Sequence, residues 1–163
     1  MADLPTHRSE QTGNPMLDRM QSNVRDLIAY VRNTQLAVPS YVQQTTDLTV
    51  AAGAYAKLFD VQIRKLQVGS RLAIRFGASF VQLTAAGGVS FQVKLDGVVV
   101  KGTYVTTPTA TAAYNAGIVL VVAALPGLHT VTVEWKDSAG SVRVNAKSIV
   151  EEHATLLVEE IPS

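Results

Sequence analysis

Apolar and polar positions along the chain follow two periods, and the change between them divides it. Over residues 14–36, Leu17, Met20, Val24, Leu27 and Val31 recur at alternating spacings of three and four, the seam of a coiled coil. Asn14 offers a capping oxygen, and Pro15 suits the first helical position, where no N–H is needed. The pattern therefore predicts a helix that begins there. Met16, Ile28 and Tyr30 flank the seam in place of matched charges and widen the apolar stripe. A lone helix would leave that stripe in water; it can be buried on the rest of its own chain or against other copies of the same helix, and the second is expected.

Further along the chain the period falls to two. Phe59, Val61 and Ile63, then Leu72, Ile74 and Phe76, then Phe91, Val93 and Leu95 alternate with mostly polar neighbours, the signature of half-buried strands. Asp96-Gly97 lies between two apolar runs and predicts a two-residue hairpin turn, because both central positions need positive φ. Pro126-Gly127 and Ser138-Ala139-Gly140 mark further turns, and Trp135 continues the inward series Val131, Val133 toward the core. Eight or nine strands at hairpin spacing, with no helical crossovers, predict a mainly β fold, an antiparallel β-sandwich or jelly roll. The expected division is an extended arm at 1–13, an oligomerisation helix at 14–36, a linker around Pro39 at 37–46, and the β domain at 47–163.

Residues 118–125 break the alternation, since Ile118, Leu120 and Val122 on one parity and Val119, Val121 and Ala123 on the other are all apolar. The outer face of a sandwich strand is normally polar. Either a loop or the helix covers the strand, or it lies at a subunit interface through Ile118, Leu120 and Val122, which is the expectation because it agrees with the helix seam. A Thr-rich stretch flanked by Tyr104 and Tyr114 reads as an exposed loop, the first place to expect a glycan or receptor.

Composition narrows the function. Lys and Arg total 14 against 13 for Asp and Glu, and they are spread along the chain, so no nucleic-acid surface is expected. With no cysteine, disulfides, thiolate catalysis and cysteine-based metal sites are excluded. The longest apolar run, residues 116–125, is too short to cross a bilayer, and the first residues lack a secretory signal's apolar core. A chain made and kept in the cytosol is expected. No G-x-S-x-G elbow occurs, Gly87-Gly88 lacks the Lys of a phosphate loop, and His7, His129 and His153 are far apart. His153 after Glu151-Glu152 is a weak cation candidate that reads better as a solvated turn. No catalytic residue, metal or cofactor is expected.

The run 127–135, the Gly-containing turn after it, and His153 before Leu156-Leu157-Val158-Glu159-Glu160-Ile161 resemble the end of β-sandwich domains in tailed-bacteriophage virion proteins. Head-decoration proteins, short fibres and knobs of this kind are commonly trimers with a jelly-roll fold shaped like tumour necrosis factor and C1q. The resemblance covers about a quarter of the chain and is one of strand and turn style. It implies a non-enzymatic homotrimer on the virion surface, docked on capsid, neck or tail proteins through residues 1–13 and the helix, with the β domain exposed. The absence of a collagen-like or β-helical shaft favours a decoration protein or a short fibre. A carbohydrate- or receptor-binding module is the alternative reading.

Overall fold

The computed structural model describes residues 15–34, 36–84, 86–109, 111–144 and 153–162, without the side chains of 30–34. Helix α1 (Pro15–Thr34) carries Asp18 in its first turn, where a carboxylate favours the positive end of the helix dipole. Taken by itself, the helix leaves Leu17, Met20, Val24 and Leu27 exposed, together with Met16 and Ile28. The side chain of Val31 and the arm at 1–13 lie outside the described residues.

Leu36–Ser163 is a second compact unit. Its strands are β1 (Ser40–Gln43), β2 (Leu48–Ala51), β3 (Ala56–Lys65), β4 (Arg71–Gln82) and β5 (Gly87–Leu95). After the Asp96-Gly97 turn come β6 (Val98–Thr107), β7 (Ala113–Ala123), β8 (Gly127–Asp137), β9 (Ser141–Val144) and β10 (Thr155–Ile161). The linker expected at 37–46 thus contains β1, and the β unit begins before Asp47. Ser40 and Val42 alternate too briefly to signal a strand.

Asp96 and Gly97 have φ of 50° and 83°, the left-handed pair that a two-residue turn between right-twisted strands requires. From this tip the pairs nest outward: β5 with β6, β4 with β7, β3 with β8, β2 with β9 and β1 with β10, all antiparallel. The domain is therefore one ribbon doubled back at Asp96-Gly97. Pairing of β4 with β10 and β9, and of β5 with β8, rolls the ribbon up. A six-stranded sheet, β1-β10-β4-β9-β2 with β7 also on β4, faces a four-stranded sheet, β3-β8-β5-β6. This is the jelly roll expected from the strand spacing.

The core follows from alternation. Along β4, Leu72, Ile74, Phe76, Ala78 and Phe80 are all buried and meet Val89, Phe91 and Val93 of β5 and Val131, Val133 and Trp135 of β8. Phe91 is the hub: its ring lies 5.3 Å from Phe76, 5.5 Å from Phe80 and 6.2 Å from Trp135, on which it stacks. Trp135 is fully buried, as its inward parity predicted. In β3 a bulge between Lys57 and Phe59 turns Leu58 inward as well, so two consecutive residues are buried.

Two buried polar groups fasten the ends of the roll. Gln82 donates to Asp137 at 2.9 Å and accepts from Thr107 at 3.1 Å, which ties β4, β8 and β6 together. The Glu160 carboxylate accepts from the backbone of Ala37 (2.7 Å), Leu66 (3.1 Å) and Gln67 (2.8 Å) and from the Ser70 hydroxyl. It joins the start of the β unit to the β3–β4 turn. Burial alone would raise its pKa; the hydrogen bonds from Ser70, Gln67, Leu66 and Ala37 outweigh burial and hold it below the usual carboxylate range.

The stability that Glu160 supplies is fully present above the pKa of a free glutamate and is lost as pH falls through the lower, folded value. Glu160→Gln keeps one acceptor and turns an NH2 toward backbone donors. It should cost about 2–3 kcal/mol in urea unfolding at neutral pH, a deficit that narrows in acid. Equal stability of the two proteins at neutral pH would contradict the anchoring role. Gly97→Val should cost about 1–2 kcal/mol, because a β-branched residue is forced to positive φ at the ribbon's tip.

Candidate functional site

Among the described residues no group of three His, Asp or Glu side chains could hold a metal ion. His129 is a fastener: Nδ1 lies 2.7 Å from the Asp96 carboxylate and Nε2 lies 2.7 Å from the Leu125 carbonyl. Burial pulls its pKa down, but these two acceptors outweigh that and raise it, while the His129 hydrogen bond lowers Asp96. The pair locks the hairpin tip to the β7–β8 turn. His153 contacts the Gln43 side chain beside the β1–β10 pair, and Glu151 and Glu152 lie outside the described residues.

Positions expected at an interface separate by face. Ile118 is buried in the protein's own core, and Leu120 and Val122 pack against that core. They point inward because they pair with Phe76, Ile74 and Leu72, whose face is the interior. The interface expectation for Ile118, Leu120 and Val122 is thus corrected. The exposed large apolar residues of β7 are Val119 and Val121, 73% and 49% accessible.

These valines belong to a larger surface. Cross-strand partners share a face, so the register of the six-stranded sheet sets Tyr41, Leu157, Arg75 and Val119 in one row across β1, β10, β4 and β7. The next rows hold Glu159, Ala73 and Val121, then Ile161, Arg71 and Ala123. These three rows are mostly apolar, interrupted by Arg71 and by Arg75, which pairs with Glu159 at 2.7 Å, while the rest of the face carries Gln43, Thr155, Ser79, Asn115 and Arg143. Among the described residues strand β7 pairs only with β4, and no charged residue occurs between Lys101 and Glu134.

The outer face of the four-stranded sheet is of opposite character. Its central strands present Ser90, Gln92 and Lys94 beside Thr130, Thr132, Glu134 and Lys136, in register with one another. Glu134 accepts from Gln92 at 2.6 Å and pairs with Lys94 at 2.7 Å. Its pKa is lowered, first by the Lys94 hydrogen bond and then by Gln92.

The two tyrosines expected to frame a binding loop have different roles. Tyr114 stacks on Phe80 at 5.9 Å, and its hydroxyl donates to the Thr109 carbonyl at 2.8 Å and accepts from the Thr109 N–H at 3.0 Å. It closes the β6–β7 connection and is structural. Tyr104 lies within β6 on the polar outer face, 58% exposed, so much of the expected loop is strand. Its ring covers Gly88: a Cβ built there would lie 2.0 Å from the phenol oxygen. Sequence reading missed this pair, although Gly87-Gly88 opening a strand was its visible signal.

No family model matches the chain, and no curated protein matches it. Among solved structures, a disulfide-linked pilus of Bacillus endospore appendages is 17% identical, covers 80% of this chain and 94% of that chain, and has a TM-score of 0.42. The VP2 subviral particle of infectious bursal disease virus is 14% identical over 78% of this chain and 37% of that chain, with a TM-score of 0.46. This chain therefore spans little more than a third of that protein. A family 35 carbohydrate binding module from Clostridium thermocellum is 16% identical over 74% of this chain and 98% of that chain, with a TM-score of 0.36.

Proposed function

We propose that this chain is a non-enzymatic structural protein of a bacteriophage virion, a capsid-decoration or short-fibre subunit. It works as a homotrimer, and residues 1–13 and the helix attach it to capsid, neck or tail proteins at the particle surface. The observation that carries the reading is the contrast between the outer faces: three largely apolar rows across β1, β10, β4 and β7, against a polar surface across β8 and β5. A freely solvated sandwich has no reason to keep Val119, Val121 and Tyr41 on one face. The helix adds a second apolar stripe at Leu17, Met20, Val24 and Leu27. Two such surfaces on one chain suit a subunit that buries both against copies of itself.

The energetics favour association. Burying a valine or leucine side chain is worth about 1.5–3 kcal/mol, so a few per chain offset the entropy of assembly when several copies share them. Mechanically, such a protein acts as cement: symmetric contacts hold the oligomer and the arm spans neighbouring subunits.

Light scattering on the full chain should give three times the chain mass. Leu27→Lys in the helix and Val121→Lys on β7 should each shift the mass toward one chain while the β-rich circular dichroism persists. A monomeric wild type at all concentrations, or two variants that keep the wild-type mass, would overturn the reading.

A further inference from the structure

The polar face carries an aromatic ring that the assembly reading leaves unused. Tyr104 lies across Gly88, and the residue remains 58% exposed, so the ring is laid along the sheet instead of standing up from it. Only a glycine permits that close approach. The next outward position on β6 is Gly102, which pairs with Gln92, so the bed beside the ring is open. A Cβ at Gly102 would meet only the Phe91 carbonyl oxygen, at 3.5 Å. The gap is therefore not a packing necessity.

Around that opening stand hydrogen-bonding groups at strand spacing. Ser90 pairs with Tyr104 on one side and with Lys136 on the other; Gln92 pairs with Gly102 and with Glu134. Two strand spacings separate Tyr104 from Lys136, about 10 Å. The Lys136 ammonium sits 4.7 Å from the centre of the Tyr55 ring. Among the described residues it has no acidic partner, whereas Lys94 is paired with Glu134 and Lys57 with Asp60 at 2.5 Å. Lys136 is thus a cation of this face that stands outside its ion pairs.

We propose that this face binds an acidic oligosaccharide, one sugar ring stacked on Tyr104 above Gly88 and a neighbouring ring's carboxylate at Lys136. A sugar presents a C–H face that suits the negative face of an aromatic ring, and hydroxyls that Ser90, Gln92 and Glu134 can bond. The flat surface fits an extended ligand better than a compact one, which needs a pocket. A peptide gains little here, because β5 and β8 are interior strands with their backbone groups already paired. The proposal stands whether or not the chain assembles as described above.

The test titrates the full chain by NMR and calorimetry with trigalacturonate, 3′-sialyllactose, maltotriose and a short single-stranded oligonucleotide. At least one acidic sugar should bind, shifting amides at 88–92, 102–106 and 134–136, and at least about tenfold more tightly than maltotriose. Tyr104→Ala should weaken it about tenfold or more, Tyr104→Phe should retain it, and Gly102→Gln should block it with the thermal midpoint little changed. Lys136→Gln should abolish the preference for the acidic probe. The proposal is overturned if neither acidic sugar binds, if maltotriose or the oligonucleotide binds as well, or if Tyr104→Ala binds as wild type does.

Discussion

The antiparallel ribbon turned at Asp96-Gly97 is the constraint on which the rest of the β unit depends. Five nested antiparallel pairs grow from that tip, with bulges in β5 and β3 and the intervening loops adjusting the register from one pair to the next. Rolling the ribbon brings β10 onto β4 and β8 onto β5, which closes the interior around Phe76, Phe91 and Trp135. The fasteners act at the seams of the roll: His129 with Asp96 at the tip, Gln82 with Asp137 at one end, Glu160 beside Ala37 at the outermost pair. Each joins segments far apart in sequence, which the chain's own connectivity leaves free to separate.

Rolling also decides which side chains face out. Because β7 is tied to β4 along its whole length, the parity of Phe76 dictates that Ile118 goes in and Val119 comes out. The two outer faces then differ in chemistry, and that difference organises the functional reading. The largely apolar rows of the six-stranded face suit contact with other copies, and a polar four-stranded face, with Tyr104 laid over Gly88, suits the outward side. The two roles do not compete for the same residues.

What was legible in the sequence was whatever is local. The 96–97 turn, the period-two strands and the inward Trp135 depend on residues within a few positions of one another, and all appear as expected. Ile118, Leu120 and Val122 misled because both parities of β7 are apolar, so the pattern has no sign until β4 supplies one. Strand β1 was hidden in a linker because its four residues exist as strand only by pairing with β10, over a hundred positions away. Tyr114 read as a binding residue because its bond to Thr109 joins the two ends of the β6–β7 connection, which the strand pattern does not bring together. Glu160 looked like a polar chain end; its partners, from Ala37 to Ser70, are brought to it only by the completed roll.

The most direct test of the assembly account compares two tyrosines that are equally open in a single chain. Tyr41 on the apolar face is 61% exposed and Tyr104 on the polar face is 58% exposed. Hydroxyl-radical footprinting of the intact protein at high concentration, read by mass spectrometry, should show Tyr41 protected and Tyr104 fully reactive. Oxidation of the two at equal rates would mean that the apolar face remains in water, and the account would be wrong.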